Sequence, residues 1–227
     1  MRKYEVTYLD AEGNVRFSEH IAPASIAFEA AFSAFARGTM ILTTEGPRAV
    51  EDLDPGALLP TAAGAELPVM WIGSMSLVPS APVEAPEQLQ LTRIMADGFG
   101  LSLPMPDLLL GHGARLLRSP PALREYALQT EMLTPARAFV DGSSVISLNP
   151  PAPVALYHLC LPYHAVISAA GIKVETYHPG TSLLRDMGLQ TRALFLSLFP
   201  HIGQEDGFGP LAYPRASIST LEQLGLL

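Results

Sequence analysis

The chain has 227 residues, of which 48% are hydrophobic and only 16% are charged, so we expect a folded chain with a sizeable core. Its formal net charge of -8 argues against nucleic acid or an anionic membrane surface as a partner. The 21 prolines and 18 glycines favour many short strands separated by turns over a helical bundle. The single cysteine, Cys160, excludes an internal disulfide framework and a cysteine-based zinc site.

Neither a signal peptide nor a membrane span is visible in the sequence. The first residues, MRKYEVTYLDAEGNVRF, contain no apolar core of signal-peptide length. A run of about 18 apolar residues, which a membrane-spanning helix requires, does not occur. We therefore expect a cytoplasmic protein without a membrane partner.

The first predicted element is a β-hairpin over residues 4–17. The segments YEVTYLD and NVRF flank a turn at Gly13 and Asn14, two residues that accept the backbone conformations of tight turns. This pattern predicts two antiparallel strands joined at that turn.

A helix is predicted next. Phe28, Phe32 and Phe35 are spaced i, i+4, i+7, which places them on one face of a helix that packs on the core. Ser25 is the predicted N-cap and Gly38 the predicted end of this helix. The helix would carry residue 34 in its last turn, where the partial negative charge of the helix end disfavours a thiolate or an oxyanion.

Residues 40–56 predict two short strands with two turns. Met40–Leu42 is an apolar strand, and Glu45–Pro47 is a turn. Arg48–Leu53 runs back, and Asp54–Gly56 turns again.

Residues 34–56 as a whole resemble the opening of the Hint (Hedgehog/intein) domain family, in its bacterial Hint_2-like branch. There the motif runs Cys-Phe-x-x-Gly-Thr, an apolar strand, a turn with Gly, and Val-Glu-Asp-Leu-x-x-Gly-Asp. The residues that match it are Phe35, Gly38, Thr39, Gly46, Val50, Glu51, Asp52, Leu53, Pro55 and Gly56. At the position of the family's nucleophilic cysteine this chain has Ala34.

A second segment of the resemblance covers residues 89–117. Asp107, Arg115 and the leucines beside them match the family pattern, but the family's Ser and His fall on Gly111 and Ala114. In the family that His polarises the scissile peptide, and the hydroxyl helps to hold the tetrahedral intermediate. His112 is a displaced candidate for the imidazole, two residues earlier on the same face of a strand and about 6.6 Å along it.

The third segment covers residues 155–180. The matching residues are Tyr157, His158, Leu159, Leu161, His164, Val166, Ala169, Gly171, Glu175, Pro179 and Gly180. The family's Asp, expected to tune the nucleophile and move a proton, is Pro162 here, which can do neither. His164 is therefore the polar residue of the motif core that carries over, and we expect it to be a hydrogen-bonded structural group on its strand.

Two shorter stretches also resemble the family. Residues 68–73 match a Pro-Val-x-Trp-Ile-Gly strand, in which Trp71, the only tryptophan, is the expected core anchor. Residues 131–137 match a Glu-Val-Leu-Val-Pro-Ala-Arg strand, and we predict that Ser143–Leu148 returns from it as a hairpin after a turn at Asp141-Gly142.

The C-terminal region has helical patterns. Thr191–Phe199 is apolar and ends before Pro200, and Ser219 with Glu222 forms a capping-box pattern. We divide the chain into an N-terminal hairpin and short helix (1–33), a Hint-like β domain (34–180) and a helical C-terminal extension that packs on the domain (181–227). The fold that the resemblance implies is mostly β, a horseshoe-shaped disc of short curved hairpins in two pseudo-symmetric halves.

The resemblance implies a self-cleaving ancestor, but four family positions lack their reactive groups. These positions are Ala34, Gly111, Ala114 and Pro162. Residues that act as a unit fail together, so we predict that self-cleavage is lost and that the chain is a non-catalytic binding or scaffold module for a protein partner that the sequence does not identify. No catalytic residue, cofactor or metal ligand is assigned, and the oligomeric state is left open.

Two alternatives stay open. One is an active self-cleaving domain that uses Ser33 as nucleophile with His112 or His164 as acid and base. The other is a small hydrolase or metal-binding protein, which would need several of the six histidines to cluster, because HExxH and GxSxG motifs are absent. These histidines are His20, His112, His158, His164, His178 and His201.

Overall fold

The computed structural model describes residues 1–126, 131–202 and 205–227. The strands are β1 Arg2–Leu9, β2 Val15–Ala22, β3 Phe35–Ala36, β4 Met40–Thr43, β5 Gly46–Ala49, β6 Leu58–Pro60, β7 Glu66–Pro68, β8 Trp71–Leu77, β9 Leu91–Ile94, β10 Leu108–Leu110, β11 Arg115–Leu117, β12 Leu133–Pro135, β13 Val145–Leu148, β14 Val154–Cys160, β15 Val166–Ala169 and β16 Ile172–Glu175. The helices are α1 Ile26–Ala30, α2 Pro121–Tyr126, α3 Leu183–Asp186, α4 Leu189–Leu196 and α5 Ile218–Gln223.

In the described part of the chain the strands form three antiparallel sheets, which confirms the predicted mostly β fold. The largest is an 8-stranded sheet in the order β13-β9-β10-β3-β14-β8-β1-β2. A 6-stranded sheet runs in the order β12-β11-β16-β15-β4-β5, and β6 and β7 form a pair of their own. No helix in the described part of the chain has the length and apolar character needed to cross a membrane.

The N-terminal hairpin is present as predicted. β1 and β2 pair antiparallel with Leu9 opposite Val15, and Gly13 in the turn has a φ of 80°. The Asp10 carboxylate accepts the Asn14 backbone N–H at 2.8 Å, which closes the turn. This hairpin adds to the large sheet through β8.

The predicted helix over residues 25–38 is too long. α1 ends at Ala30, and Phe35 lies on β3, between β10 and β14. Ser25 is at the N-cap position, but its side chain makes no capping hydrogen bond. Pairing with two strands that are distant in sequence outweighs the local helical spacing of the phenylalanines, so Ala34 is not in a helix end.

Two other local predictions are wrong. β13 does not return against β12 but pairs with β9, with Leu148 opposite Leu91. The capping-box interpretation fails because α5 begins at Ile218, so that Ser217 precedes the helix and Ser219 lies inside it. In both cases the sequence contains a local turn or cap signal. Long-range packing, however, decides which strands pair and at which residue the helix begins.

One core cluster ties the two ends of the chain to the β domain. Its aromatic members include Tyr4 from β1, Phe28 from α1, and Phe195 and Phe199 from the α4 region. Trp71 is fully buried among them, as predicted for a core anchor. Its Nε1 donates to the Leu198 carbonyl at 2.7 Å, and its ring stacks on Phe199 with ring centroids 4.8 Å apart.

Candidate functional site

The segment around Ala34 lies between two strands of the large sheet. The Ala34 N–H donates to the Tyr157 carbonyl on β14 at 3.0 Å, and the Ala34 carbonyl accepts the Gly111 N–H at 3.0 Å. The Ala34 methyl group is fully buried in the hydrophobic core. The structure therefore brings the first and second motif segments together, with a methyl group at the residue the resemblance aligns with a nucleophile.

The turn that follows β10 presses closely on the chain before Ala34. A Cβ at Gly111 would collide with the Ser33 carbonyl, and a Cβ at Gly113 would collide with the Ala30 carbonyl. Only glycine permits this approach at both positions. Ala114, which the resemblance aligns with the family's His, is buried in the core.

Ser33 and His112 meet at this turn. The Ser33 hydroxyl lies 3.2 Å from His112 Nδ1, although the two residues are 79 positions apart. The Gly113 N–H donates to the same hydroxyl oxygen at 3.2 Å and to the Ser33 carbonyl at 3.0 Å. Because the oxygen accepts from Gly113, its hydrogen is free to point at the imidazole.

The imidazole of His112 is neutral at neutral pH. Burial lowers its pKa to about 4, against the opposing effect of a backbone hydrogen bond with Ile26. A neutral imidazole beside a hydroxyl has the composition of a nucleophile and its base. Of the displaced His112 and the retained His164, the two candidates considered from the sequence, the structure places His112 at Ser33.

His164 is occupied elsewhere. It lies in the connection between β14 and β15, not on a strand as predicted. Its Nδ1 accepts the Ala212 N–H at 2.8 Å, so the ring proton sits on Nε2, which contacts Glu175 Oε1 at 2.8 Å. Both ring nitrogens of His164 thus have hydrogen-bond partners among the described residues, and neither partner is Ser33. Pro162 is exposed in the same connection.

Glu175 is the centre of a buried charged group. Arg215 approaches its Oε1 with Nη2 at 2.8 Å and Nε at 2.9 Å, and Arg115 Nε lies 3.6 Å from its Oε2. Burial raises the pKa of Glu175, but the His164 hydrogen bond and the charges of Arg215 and Arg115 lower it overall. Sequence reasoning matched Glu175 and Arg115 to the family without assigning them a role. It missed Arg215, which lies 40 residues further along the chain from Glu175.

A family model for the Hint domain matches residues 33–181. The chain belongs to the Hint domain family. Its Hint domain is similar to the solution structure of a bacterial intein-like domain from Clostridium thermocellum, with 16% identity over 63% of this chain and 98% of that one, and a TM-score of 0.38. It is also similar to a splice-inactive variant of the AceL NrdHF class 3 split intein, with 11% identity over 64% of this chain and 98% of that one, and a TM-score of 0.41. Among curated protein sequences, none matches it significantly.

A cavity of about 330 Å³ opens beside the Ser33–His112 contact of the Hint domain. Its walls come from α1, the turn after β10, the starts of β11 and α5, and the segment after β16. The lining residues are Ile26, Ala27, Ala30, Glu87, His112, Gly113, Arg115, Pro135, Arg137, His158, Glu175, Tyr177, His178, Pro179, Leu183, Arg215 and Ile218. The volume falls in the range of about 300–1,000 Å³ that is typical of small-molecule sites.

The histidines of the Hint domain do not assemble into a metal site in the described ranges. No group of three or more His, Cys, Asp or Glu side chains there has an arrangement that could hold a metal ion. His158 and His178 line the cavity, and burial lowers their pKa values to about 3 and about 4. His20 lies on β2 and does not line the cavity.

Proposed function

We propose that this Hint domain does not cleave its own chain and acts as a binding module. The observation that carries the proposal is the buried methyl group of Ala34, the residue that the sequence resemblance aligns with the family's nucleophile. Gly111, Ala114 and Pro162 likewise lack the hydroxyl, the imidazole and the carboxylate of the family pattern. Catalytic groups that act as a unit lose almost all of their effect when one is removed, so the absence of four leaves no partial mechanism.

Intact-mass spectrometry tests this directly. The purified protein is incubated for several days with dithiothreitol or hydroxylamine, which cleave the thioesters or esters that self-processing produces. We expect the full-length mass to persist. A fragment that grows with time and ends near residues 33–36 would contradict the proposal. The variant Ala34→Cys restores the thiol alone and is expected to stay intact as well, because the other groups are still missing.

A second candidate is self-cleavage at the Phe32–Ser33 bond, and the 3.2 Å contact between Ser33 and His112 favours it. The Ser33 hydroxyl would attack the Phe32 carbonyl carbon, with its proton passing through the neutral imidazole of His112 to the departing amide nitrogen. The peptide bond would break as an ester forms, and water or hydroxylamine would then release residues 1–32.

The same mass measurement separates the two candidates. Self-cleavage predicts a hydroxylamine-dependent fragment of residues 1–32 that disappears in Ser33→Ala and is strongly reduced in His112→Gln. Ser76→Ala, at an exposed position of β8, is the matched control and should leave the fragment unchanged. A wild-type protein that stays intact under all conditions removes this second candidate.

A further inference from the structure

The cavity beside the Ser33–His112 contact has a cationic donor without a partner. Arg115 Nη1 is buried and makes no hydrogen bond to any described residue, while Nε of the same guanidinium lies 3.6 Å from Glu175 Oε2. A buried donor left unpaired is costly, and such groups in native proteins are normally satisfied by a protein group, water or a ligand. Arg115 lines the cavity, so a ligand there can supply the missing acceptor.

The charges that line the cavity leave one positive charge in excess. Three guanidinium groups, Arg115, Arg137 and Arg215, face two carboxylates, Glu87 and Glu175, a balance of 3 − 2 = +1. Arg137 contacts Glu87 at 3.3 Å, and Arg215 contacts Glu175 at 2.8 Å. Arg115 therefore shares a carboxylate that is already paired, and the surplus charge sits at its unpartnered end.

The histidines add no further charge. Burial holds the pKa values of His112, His158 and His178 at about 4 or lower, so all three rings are neutral at neutral pH. A ligand that balances this site carries a single negative charge. A phosphate monoester, with nearly two negative charges at pH 7, would overcompensate the site.

Part of the exposed lining of the cavity is apolar. Ile26 at the start of α1 and Ile218 at the start of α5 are 38% and 41% exposed, and Leu183 is half-buried beside them. Exposed aliphatic side chains in the same cavity as the Arg115 guanidinium suit a ligand with a charged head and an apolar body. Both features belong to the same cavity.

We propose that this cavity binds a small monocarboxylate with an aliphatic tail. Its carboxylate accepts from Arg115 Nη1, and its tail lies between Ile26, Leu183 and Ile218. A planar carboxylate suits the planar guanidinium fork better than a spherical anion does. The inference rests on the binding role proposed above and names the class of ligand for it.

Isothermal titration calorimetry with hexanoate on the full-length protein tests the proposal, with hexan-1-ol and hexylammonium as size-matched probes. We expect saturable binding of hexanoate with a dissociation constant between about 10 µM and about 1 mM. Hexan-1-ol, which lacks the charge, should bind at least about tenfold more weakly, and hexylammonium should not bind. Equal binding of the alcohol, or no saturable binding of hexanoate, overturns the proposal.

Two variants test whether Arg115 binds the carboxylate. Arg115→Met keeps an unbranched apolar stem and removes the guanidinium group with its charge, and we expect it to weaken hexanoate binding at least about tenfold. Arg48→Met is the matched control, since Arg48 pairs with exposed Glu45 and neither residue lines the cavity, and it should bind as the wild type does. Unchanged affinity in Arg115→Met refutes the assignment.

Ile218→Asp covers the case in which Arg115→Met fails to fold. It puts a negative charge at the partly exposed mouth of the cavity, and we expect a similar loss of affinity. Intact-mass spectra of the same samples keep the two proposals apart: a fragment contradicts the loss of self-cleavage, whereas an intact protein without hexanoate binding contradicts only the ligand.

Discussion

Nε2 of His164 donates a hydrogen bond to Glu175 Oε1 across 2.8 Å, and the two side chains are 0% and 3% exposed. The same carboxylate oxygen accepts from Arg215, which comes from the C-terminal region. A single buried carboxylate thus connects the chain before β15, the end of β16 and the segment before α5. Its loss would leave several buried donors without an acceptor at once.

Replacing the carboxylate should therefore be costly. We expect Glu175→Gln to lower the free energy of unfolding by about 2–4 kcal/mol, because the amide removes the charge that faces Arg215 and Arg115. Urea unfolding followed by circular dichroism measures this change. Glu131→Gln is the control: Glu131 pairs with Lys173 where both side chains are 52% exposed, and its loss should cost less than about 1 kcal/mol. Equal costs for the two variants would contradict the role given to Glu175.

Stability should fall as the pH drops below neutral. His112 and His158 have native pKa values of about 4 and about 3, below the value of about 6.5 expected in the unfolded chain. Between pH 6.5 and 4 the unfolded state binds protons that the native state does not, so stability present above pH 6.5 is lost on acidification. Each such histidine contributes a slope of about 1.4 kcal/mol per pH unit in that window.

Urea unfolding at a series of pH values between 7 and 4.5 gives this slope. His158→Gln should reduce the slope of unfolding free energy against pH by the contribution of one histidine. This holds whatever the variant does to the free energy of unfolding at pH 7. The lowered pKa of Glu175 extends the loss below pH 4.5, because its stabilisation is present above the unfolded pKa and disappears as the carboxylate is protonated. A stability that stays constant from pH 7 to 5 would show that these histidines are not buried as neutral rings.

Gly73 on β8 should not accept a side chain. An added Cβ would collide with the rings of Trp71 and Phe32, and Gly73 is held by strand partners on both sides. We expect Gly73→Ala to cost about 1–3 kcal/mol and to lower the melting temperature, since overpacking forces these rings out of position. Ser76→Ala, an exposed position on the same strand, should change stability by no more than about 0.5 kcal/mol.

The hydrogen bond from the Trp71 indole should stabilise the packing of the α4 region on the large sheet. Trp71→Phe removes the donor at 2.7 Å from the Leu198 carbonyl and leaves that carbonyl without this partner. We expect a loss of about 1–3 kcal/mol in the free energy of unfolding and faster proteolysis after residue 180. Phe17→Leu, at a position that is 61% exposed on β2, is the matched aromatic control and should show neither effect.

Local signals in the sequence predict much of the β architecture. The turn at Gly13 and the hairpin of β4 with β5 follow from turn residues next to short apolar runs. The extent of α1 could not be predicted this way. Phe35 has helical spacing from Phe28, but its strand partners are supplied by β10 and β14, which are distant in sequence.

The candidate site depends on contacts that no local pattern encodes. The sequence names Ser33 and His112 as one alternative pairing, yet their meeting depends on how closely the turn after β10 packs on residues 30–33. Arg215 has no sequence signal at all, because its partner Glu175 is 40 residues away and the arginine lies in a region of helical and turn patterns. The cavity depends on both arrangements.

The close approach of Ser33 to Gly111 has an evolutionary consequence. A serine at position 111 would place its Cβ where the Ser33 carbonyl oxygen already lies. A serine at position 111 therefore requires the backbone before Ala34 to move away first. One codon change cannot both introduce the serine and move that backbone. Descent from a chain with this geometry is biased against a serine at position 111, since that single substitution meets a clash before it can offer any chemistry.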